Sequence, residues 1–158
     1  MLDITADKLR KMGQQNWKIG VADHTVLPVD DHSADIVVAG WSICYVAQSG
    51  VENWKNNVLK IMAEVKRVLR AGGTFVILET LGTGYEEPDP PSFLEGYYQM
   101  LRNYGFSHSW IRTDYQFDTV EEAEELSRFF FGDELAEHIV NQRLTIVPEC
   151  TGIWWLGY

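Results

Sequence analysis

An α/β domain is the fold class this sequence predicts, and three observations predict it. The run from Asp35 to Gly40 is β-branched with little polar alternation, the pattern of a strand buried on both faces. From Val51 to Leu69 the apolar residues Val58, Leu59, Met62, Val65 and Leu69 recur at helical spacing. That segment closes on Arg70-Ala71-Gly72-Gly73 and leads straight into a second apolar run, Thr74 to Leu78, so helix, double glycine and strand form one αβ unit.

The elements follow in order. Thr5 can cap a short helix from Ala6 to about Gln15, with Leu9 and Met12 on one face. Trp17 to Ala22 reads as a strand ending at Asp23. Leu27-Pro28 and the polar run Asp30 to Ser33 make a turn-rich connection to the strand at Asp35. After Leu78 and Glu79, the stretch from Gly82 to Pro91 carries two glycines and three prolines among acids, which predicts a loop able to act as a mobile lid. Phe93 to Tyr104 is a helix ended by Gly105, and Ser109 to Tyr115 a strand. Thr119 and Glu122 have capping-box spacing and open a helix to about Phe131. A second helix runs from Asp133 to about Gln142, and Leu144 to Val147 and Gly152 to Leu156 supply one or two final strands.

Bulk properties narrow the function classes. The 158 residues make one domain, and a 46% hydrophobic, 13% aromatic composition supplies a single sizeable core. A net charge of -10 opposes binding to nucleic acid or an anionic membrane surface. Cys44 and Cys150 lie far apart with no metal-ligand spacing, which predicts neither disulfide nor zinc and fits a reduced, cytoplasmic protein. The N-terminus turns polar at once, and no apolar run approaches a membrane span.

The chemical candidates are carboxylates and aromatics. Asp23 ends an apolar run, where its carboxylate can read an adenine amine while the His24 N–H donates to a ring nitrogen, or can bond its own turn. His24 fits an adenine neighbour better than a general base. Asp35, at a strand's start, reads as structural. Trp41 and Tyr45 lie past a strand's carboxyl end, where they can wall a ligand or pack in the core. Glu79 ends the next strand at the same rim and can orient a substrate amine or hydroxyl, or cap a neighbouring helix. Among the later aromatics, Tyr85 and Tyr115 are candidate substrate contacts, since aromatic faces hold sulfonium or methylated amine groups. Of Trp154 and Trp155, which point to opposite faces, at most one can line a pocket.

The stretch Gly20 to Trp41, with Asp23, Leu27-Pro28, Asp30-Asp31 and Asp35, resembles the adenine-binding half of the class I S-adenosylmethionine-dependent methyltransferases, departing at His24 and Ala34. Arg67-Val68-Leu69-Arg70-Ala71-Gly72-Gly73 with Glu79 is similar to the same family's next motif, with Ala71 where proline is usual. Leu2-Asp3-Ile4-Thr5 matches the phrase whose acid holds the ribose hydroxyls at a strand's end, which implies that role for Asp3. The family's glycine-rich loop has no counterpart in the chain. The resemblance implies a Rossmann-like open twisted sheet, mostly parallel with an antiparallel terminal strand and truncated at its N-terminal side. It implies a cofactor-side half (1–80), a lid with acceptor-side helices (81–143) and terminal strands (144–158). It further implies S-adenosylmethionine as cofactor, with Asp3, Asp23, His24 and Trp41 around it, and a small-molecule or protein methyl acceptor near Glu79, Tyr85 and Tyr115. No catalytic base is nominated. The alternative is a non-catalytic interaction module. A strand at Asp35 to Gly40 that lacks its neighbour must re-pair with Trp17 to Ala22 or associate with a second copy, giving a homo-oligomer.

Overall fold

The computed structural model describes residues 2–158. Its main sheet has the strand order β1-β2-β6-β3, built from β1 (Ala34–Gly40), β2 (Leu69–Thr83), β3 (Ser107–Arg112) and β6 (Glu149–Gly157). β1 runs parallel to β2, while β6 lies antiparallel to both β2 and β3. The first three strands therefore share one direction and the terminal strand opposes them, which is the Rossmann-like arrangement the sequence implied. A separate pair, β4 (Tyr115–Gln116) and β5 (Ile146–Val147), belongs to a small second layer.

Helices pack one face of the sheet. α3 (Trp54–Val68) buries Val58, Ile61, Met62 and Val65, and α4 (Glu95–Tyr104) buries Tyr97, Tyr98 and Leu101, against Phe75 and Ile77 of β2 and Trp154 of β6. α4 stops at Gly105, whose φ of 97° lets its N–H turn back to the carbonyls of Leu101 and Arg102. α5 (Val120–Phe131) and α6 (Asp133–Gln142) form a satellite core with β5 through Ala123, Ile139 and Val147. Thr119 caps α5 by accepting from the Glu122 N–H, as its spacing predicted. The Glu122 carboxylate returns one residue early, to the N–H of Asp118.

Several expectations are corrected. The first helix, α1 (Leu2–Lys11), starts and stops earlier than Ala6 to Gln15. Asp3 in its first turn and Lys8, Arg10 and Lys11 in its last suit the helix dipole. Asp3 therefore sits on a helix and not at a strand's carboxyl end. Trp17 to Ala22 is irregular chain, with Val21 88% exposed, because no neighbouring strand is there to pair with it. β1 is accordingly an edge strand. Ile36 and Val38 face solvent, where burial on both faces was expected, and re-pairing with residues 17–22 does not occur. The strand expected from Ser109 to Tyr115 is broken into β3 and β4. The expected loop begins later, since Gly82 and Thr83 still belong to β2.

What fastens the irregular segment is a polar clamp on α3. Glu64 accepts from the Leu27 N–H, and Arg67 donates to the carbonyls of Leu27 and Val29 and to Asp31. The Arg67 guanidinium also bridges Glu64 and holds that carboxyl down to about 2. The connection into β1 is thus fixed from the side of α3, without a sheet neighbour.

Candidate functional site

At the carboxyl ends of β1 and β2 the chain has to leave the sheet, and both exits depend on unusual backbone. Trp41 follows β1 with φ 45°, its N–H donating to the Leu78 carbonyl, and its ring is half exposed. Past β1, the short helix α2 (Cys44–Ala47), which the sequence did not announce, carries Cys44 and Tyr45 to the same rim. β2 continues to Thr83, and the following loop folds back so that the Asp89 N–H donates to the Leu81 carbonyl. That return needs a glycine: at Gly82, with φ 131°, a Cβ would lie 2.9 Å from the Asp89 carbonyl oxygen.

These exits and the α5 layer enclose a cleft of about 1020 Å³. Trp41, Cys44 and Tyr45 line one side, Tyr85 and the Asp89–Pro91 turn another, and Tyr115, Phe117, Leu126, Phe130 and Phe131 the third. Its polar floor is Thr80, Thr83 and Glu149. Tyr115 packs on Phe131 with ring centroids 5.9 Å apart. The volume is that of a site for a small molecule.

Glu79 is not at this rim but beneath it. It is fully buried, and its Oε1 accepts from the Cys44 N–H at 3.0 Å, so it supports the start of α2. Among the described residues no well-aligned hydrogen bond reaches its Oε2 or the Tyr97 hydroxyl, although that hydroxyl lies close enough to favour the charged carboxylate. Burial pushes the Glu79 carboxyl up to about 7, against the lowering effect of its bonds to Cys44. Burial, then the Glu79 charge, pushes the neighbouring Cys44 thiol up to about 12, which leaves it protonated and poorly nucleophilic.

Of the predicted site residues, Trp41, Tyr85 and Tyr115 line the cleft, while Asp3, Asp23 and His24 do not. Asp3 is exposed on α1. The Asp23 carboxylate is engaged by its own turn, accepting from the Thr25 N–H at 2.7 Å and the Thr25 hydroxyl at 2.6 Å, which holds its carboxyl below the usual range. Trp154 is buried in the core and Trp155 is part-exposed, and neither lines the cleft. Among the described residues no cluster of three metal-binding side chains occurs.

Sequence reasoning missed Glu149, Thr80 and Thr83. The terminal strand was taken to begin at Gly152. Extended back to Glu149 and run antiparallel to β2, it brings its first residue to the rim opposite Thr83.

Residues 1–77 match the sequence family described as a methyltransferase domain. That match takes in α1, β1, α3 and the first part of β2. A curated relative, sterol 4-C-methyltransferase strm-1 of Caenorhabditis elegans, is 30% identical over 88 residues. The match spans 55% of this chain and 24% of that protein. Among solved structures, the YcgJ protein of Bacillus subtilis superposes with a TM-score of 0.57 at 15% identity, covering 99% of this chain and 77% of that one. A SAM-dependent methyltransferase from Aquifex aeolicus gives 0.52 at 12% identity, covering 98% and 62%. These structures share the fold. No helix among the described residues is long and apolar enough to cross a membrane.

Proposed function

We propose that this chain takes part in S-adenosylmethionine-dependent methyl transfer, the cleft at the ends of β1 and β2 receiving the methyl acceptor. The observation that carries the reading is the position of that cleft, at the carboxyl ends of parallel strands in a chain whose first half matches the methyltransferase domain. Crevices at those ends are where open α/β sheets bind ligands. Trp41 suits a cofactor wall, because its half-exposed ring stands where β1 meets the cleft. Asp23 and the backbone of His24 are the adenine-reading candidates, and Asp3 the ribose candidate. In this structure those three stand apart from the cleft, so only Trp41 meets the fit directly.

When bound, the cofactor supplies an electrophilic methyl on a sulfonium. The chain's own part is positioning, since an in-line displacement gains most from holding the acceptor at the correct distance and angle. The rings of Tyr45, Tyr85, Tyr115 and Phe131 shield the acceptor from water, and the polar floor at Thr80, Thr83 and Glu149 orients it.

Calorimetric titration with S-adenosylhomocysteine tests the reading. Asp23→Ala is expected to weaken binding by about tenfold, the loss of a hydrogen bond to a charged group. Thr25→Val, which releases the carboxylate from the turn hydroxyl, is expected not to weaken it. No binding to the wild-type chain rejects the cofactor role, and equal affinity in wild type and Asp23→Ala rejects the adenine assignment.

A second copy of this chain is the proposed partner of the open β1 edge, where an apolar strand leaves one row of backbone groups unpaired. Size exclusion with light scattering is expected to show a dimer at micromolar concentration that Val38→Lys returns to monomer. A wild-type monomer overturns this assignment.

A further inference from the structure

At the floor of the cleft lies a carboxylate that the protein leaves half unanswered. Glu149 is 1% exposed and lines the cleft, and its Oε2 accepts from the Thr83 hydroxyl. Its Oε1 has no hydrogen-bond partner among the described residues. A buried carboxylate oxygen without a donor is costly, so its retention needs a reason. The nearby cation does not supply one: Arg112 forks onto Asp114 through two bonds of 2.8 Å. Besides Arg112, the Asp114 carboxylate accepts the backbone N–H of Glu149, so it offers the Glu149 side chain no donor. Burial raises the Glu149 carboxyl above its usual range; the Thr83 hydroxyl and the nearby Thr80 hydroxyl oppose this, and the Asp114 charge adds to it.

Two features of the surroundings select the missing donor. The walls are rings, Trp41, Tyr45, Tyr115, Phe117 and Phe131, and ring faces attract cations. The chain as a whole carries a net charge of -10, which raises the local concentration of cations and lowers that of anions. A hydroxyl donor satisfies the carboxylate but gains nothing from the ring faces. An ammonium satisfies both.

We propose that the cleft recognises a small amphiphile with a protonated amine head, whose N–H donates to Glu149 Oε1 while its apolar body lies against Phe117, Phe130 and Phe131. Glu149 is then the specificity-determining residue for the acceptor. The assignment deepens the methyl-transfer reading and rests on it only in taking this cleft as the acceptor's.

The test uses the full chain and two probes matched in shape, 2-phenylethylamine and 2-phenylethanol, titrated by NMR, with S-adenosylhomocysteine titrated in parallel. The amine is expected to bind about tenfold tighter than the alcohol, the usual advantage of a charge-assisted bond. Glu149→Gln is expected to abolish that preference, and Phe131→Leu to weaken both probes. Equal affinities in the wild type, or a preference undiminished in Glu149→Gln, overturn the proposal. Should Glu149→Gln lack a native melting transition, Glu149→Asp decides instead. It keeps the charge but withdraws it by one methylene, and is expected to weaken the amine alone, whereas an unchanged amine affinity overturns the proposal. Binding of S-adenosylhomocysteine without amine preference defeats this inference alone, and amine preference without S-adenosylhomocysteine binding defeats the cofactor reading alone.

Discussion

Trp154→Ala is expected to destabilise the fold by about 3–5 kcal/mol, the range for emptying a large aromatic site in a core. The indole is fully buried, stacked on Tyr98 at 5.5 Å and on His108 at 4.7 Å, with the Arg102 guanidinium 5.4 Å from its centre. Truncation removes three ring contacts at once and leaves a void between α4 and the sheet. Trp154→Phe is expected to cost much less, because the indole N–H has no hydrogen-bond partner among the described residues and its loss leaves no polar group stranded. Urea denaturation of the three proteins checks both statements. A cost below about 1 kcal/mol for the alanine variant would mean that the site collapses freely, against the packing seen here.

Glu79→Gln is expected to stabilise the protein at pH 8 by about 3 kcal/mol and at pH 5 by less than about 1 kcal/mol, relative to the wild type. The folded carboxyl titrates at about 7, whereas the unfolded one titrates at its ordinary value of 4.5. Below 4.5 both states hold the proton and no penalty exists. Between 4.5 and 7 the unfolded state releases its proton while the folded state retains it, so wild-type stability falls as pH rises. Above 7 the penalty is complete, at about 3 kcal/mol. Glutamine keeps an acceptor for the Cys44 N–H and offers a donor to the orphaned Tyr97 hydroxyl, while carrying no charge. Chemical denaturation at the two pH values reads the difference. A gap between variant and wild type that is the same at pH 5 and pH 8 would show that Glu79 is not held neutral.

The legible parts of this fold were those whose local signals need no partner. α3, α4, α5 and α6 follow their periodicity and caps closely, as Thr119 and Gly105 illustrate. The centre of β2 was equally plain, because the four apolar residues Phe75 to Leu78 in a row have few alternatives, although the strand itself starts earlier, at Leu69, and runs through both glycines. What failed depended on neighbours. Ile19 and Val21 have strand propensity, yet a strand is a pairing and nothing here pairs with them. β1 looked doubly buried because its composition suits a central strand, whereas the structure places it at an edge. The site divides in the same way. Trp41 could be placed from its position after a strand, and Tyr85 and Tyr115 were singled out for their aromatic faces, but Glu149 reaches the cleft through an antiparallel register with Thr83, which no local pattern encodes. Glu79 was readable as a carboxylate at a strand's end, and only the unannounced α2 shows that it lies under the rim.

β6 also has a bearing on how the chain is made. It follows the other described strands in chain order, and it stands between β2 and β3. Phe75 finds its partner in Leu156, and Ser107 finds its partner in Trp155. Until residue 157 has left the ribosome, β2 has a neighbour on one side only and β3 has none, so the nascent polypeptide must carry Phe75, Ile77 and their helices without a closed sheet. Long-range closure of this kind is slow and prolongs the exposure of apolar surface. A chain released before Glu149 would therefore lose the hydrogen-bonded link between the two halves of its sheet, and with it any assembled cleft, leaving a natural client for chaperones and proteases.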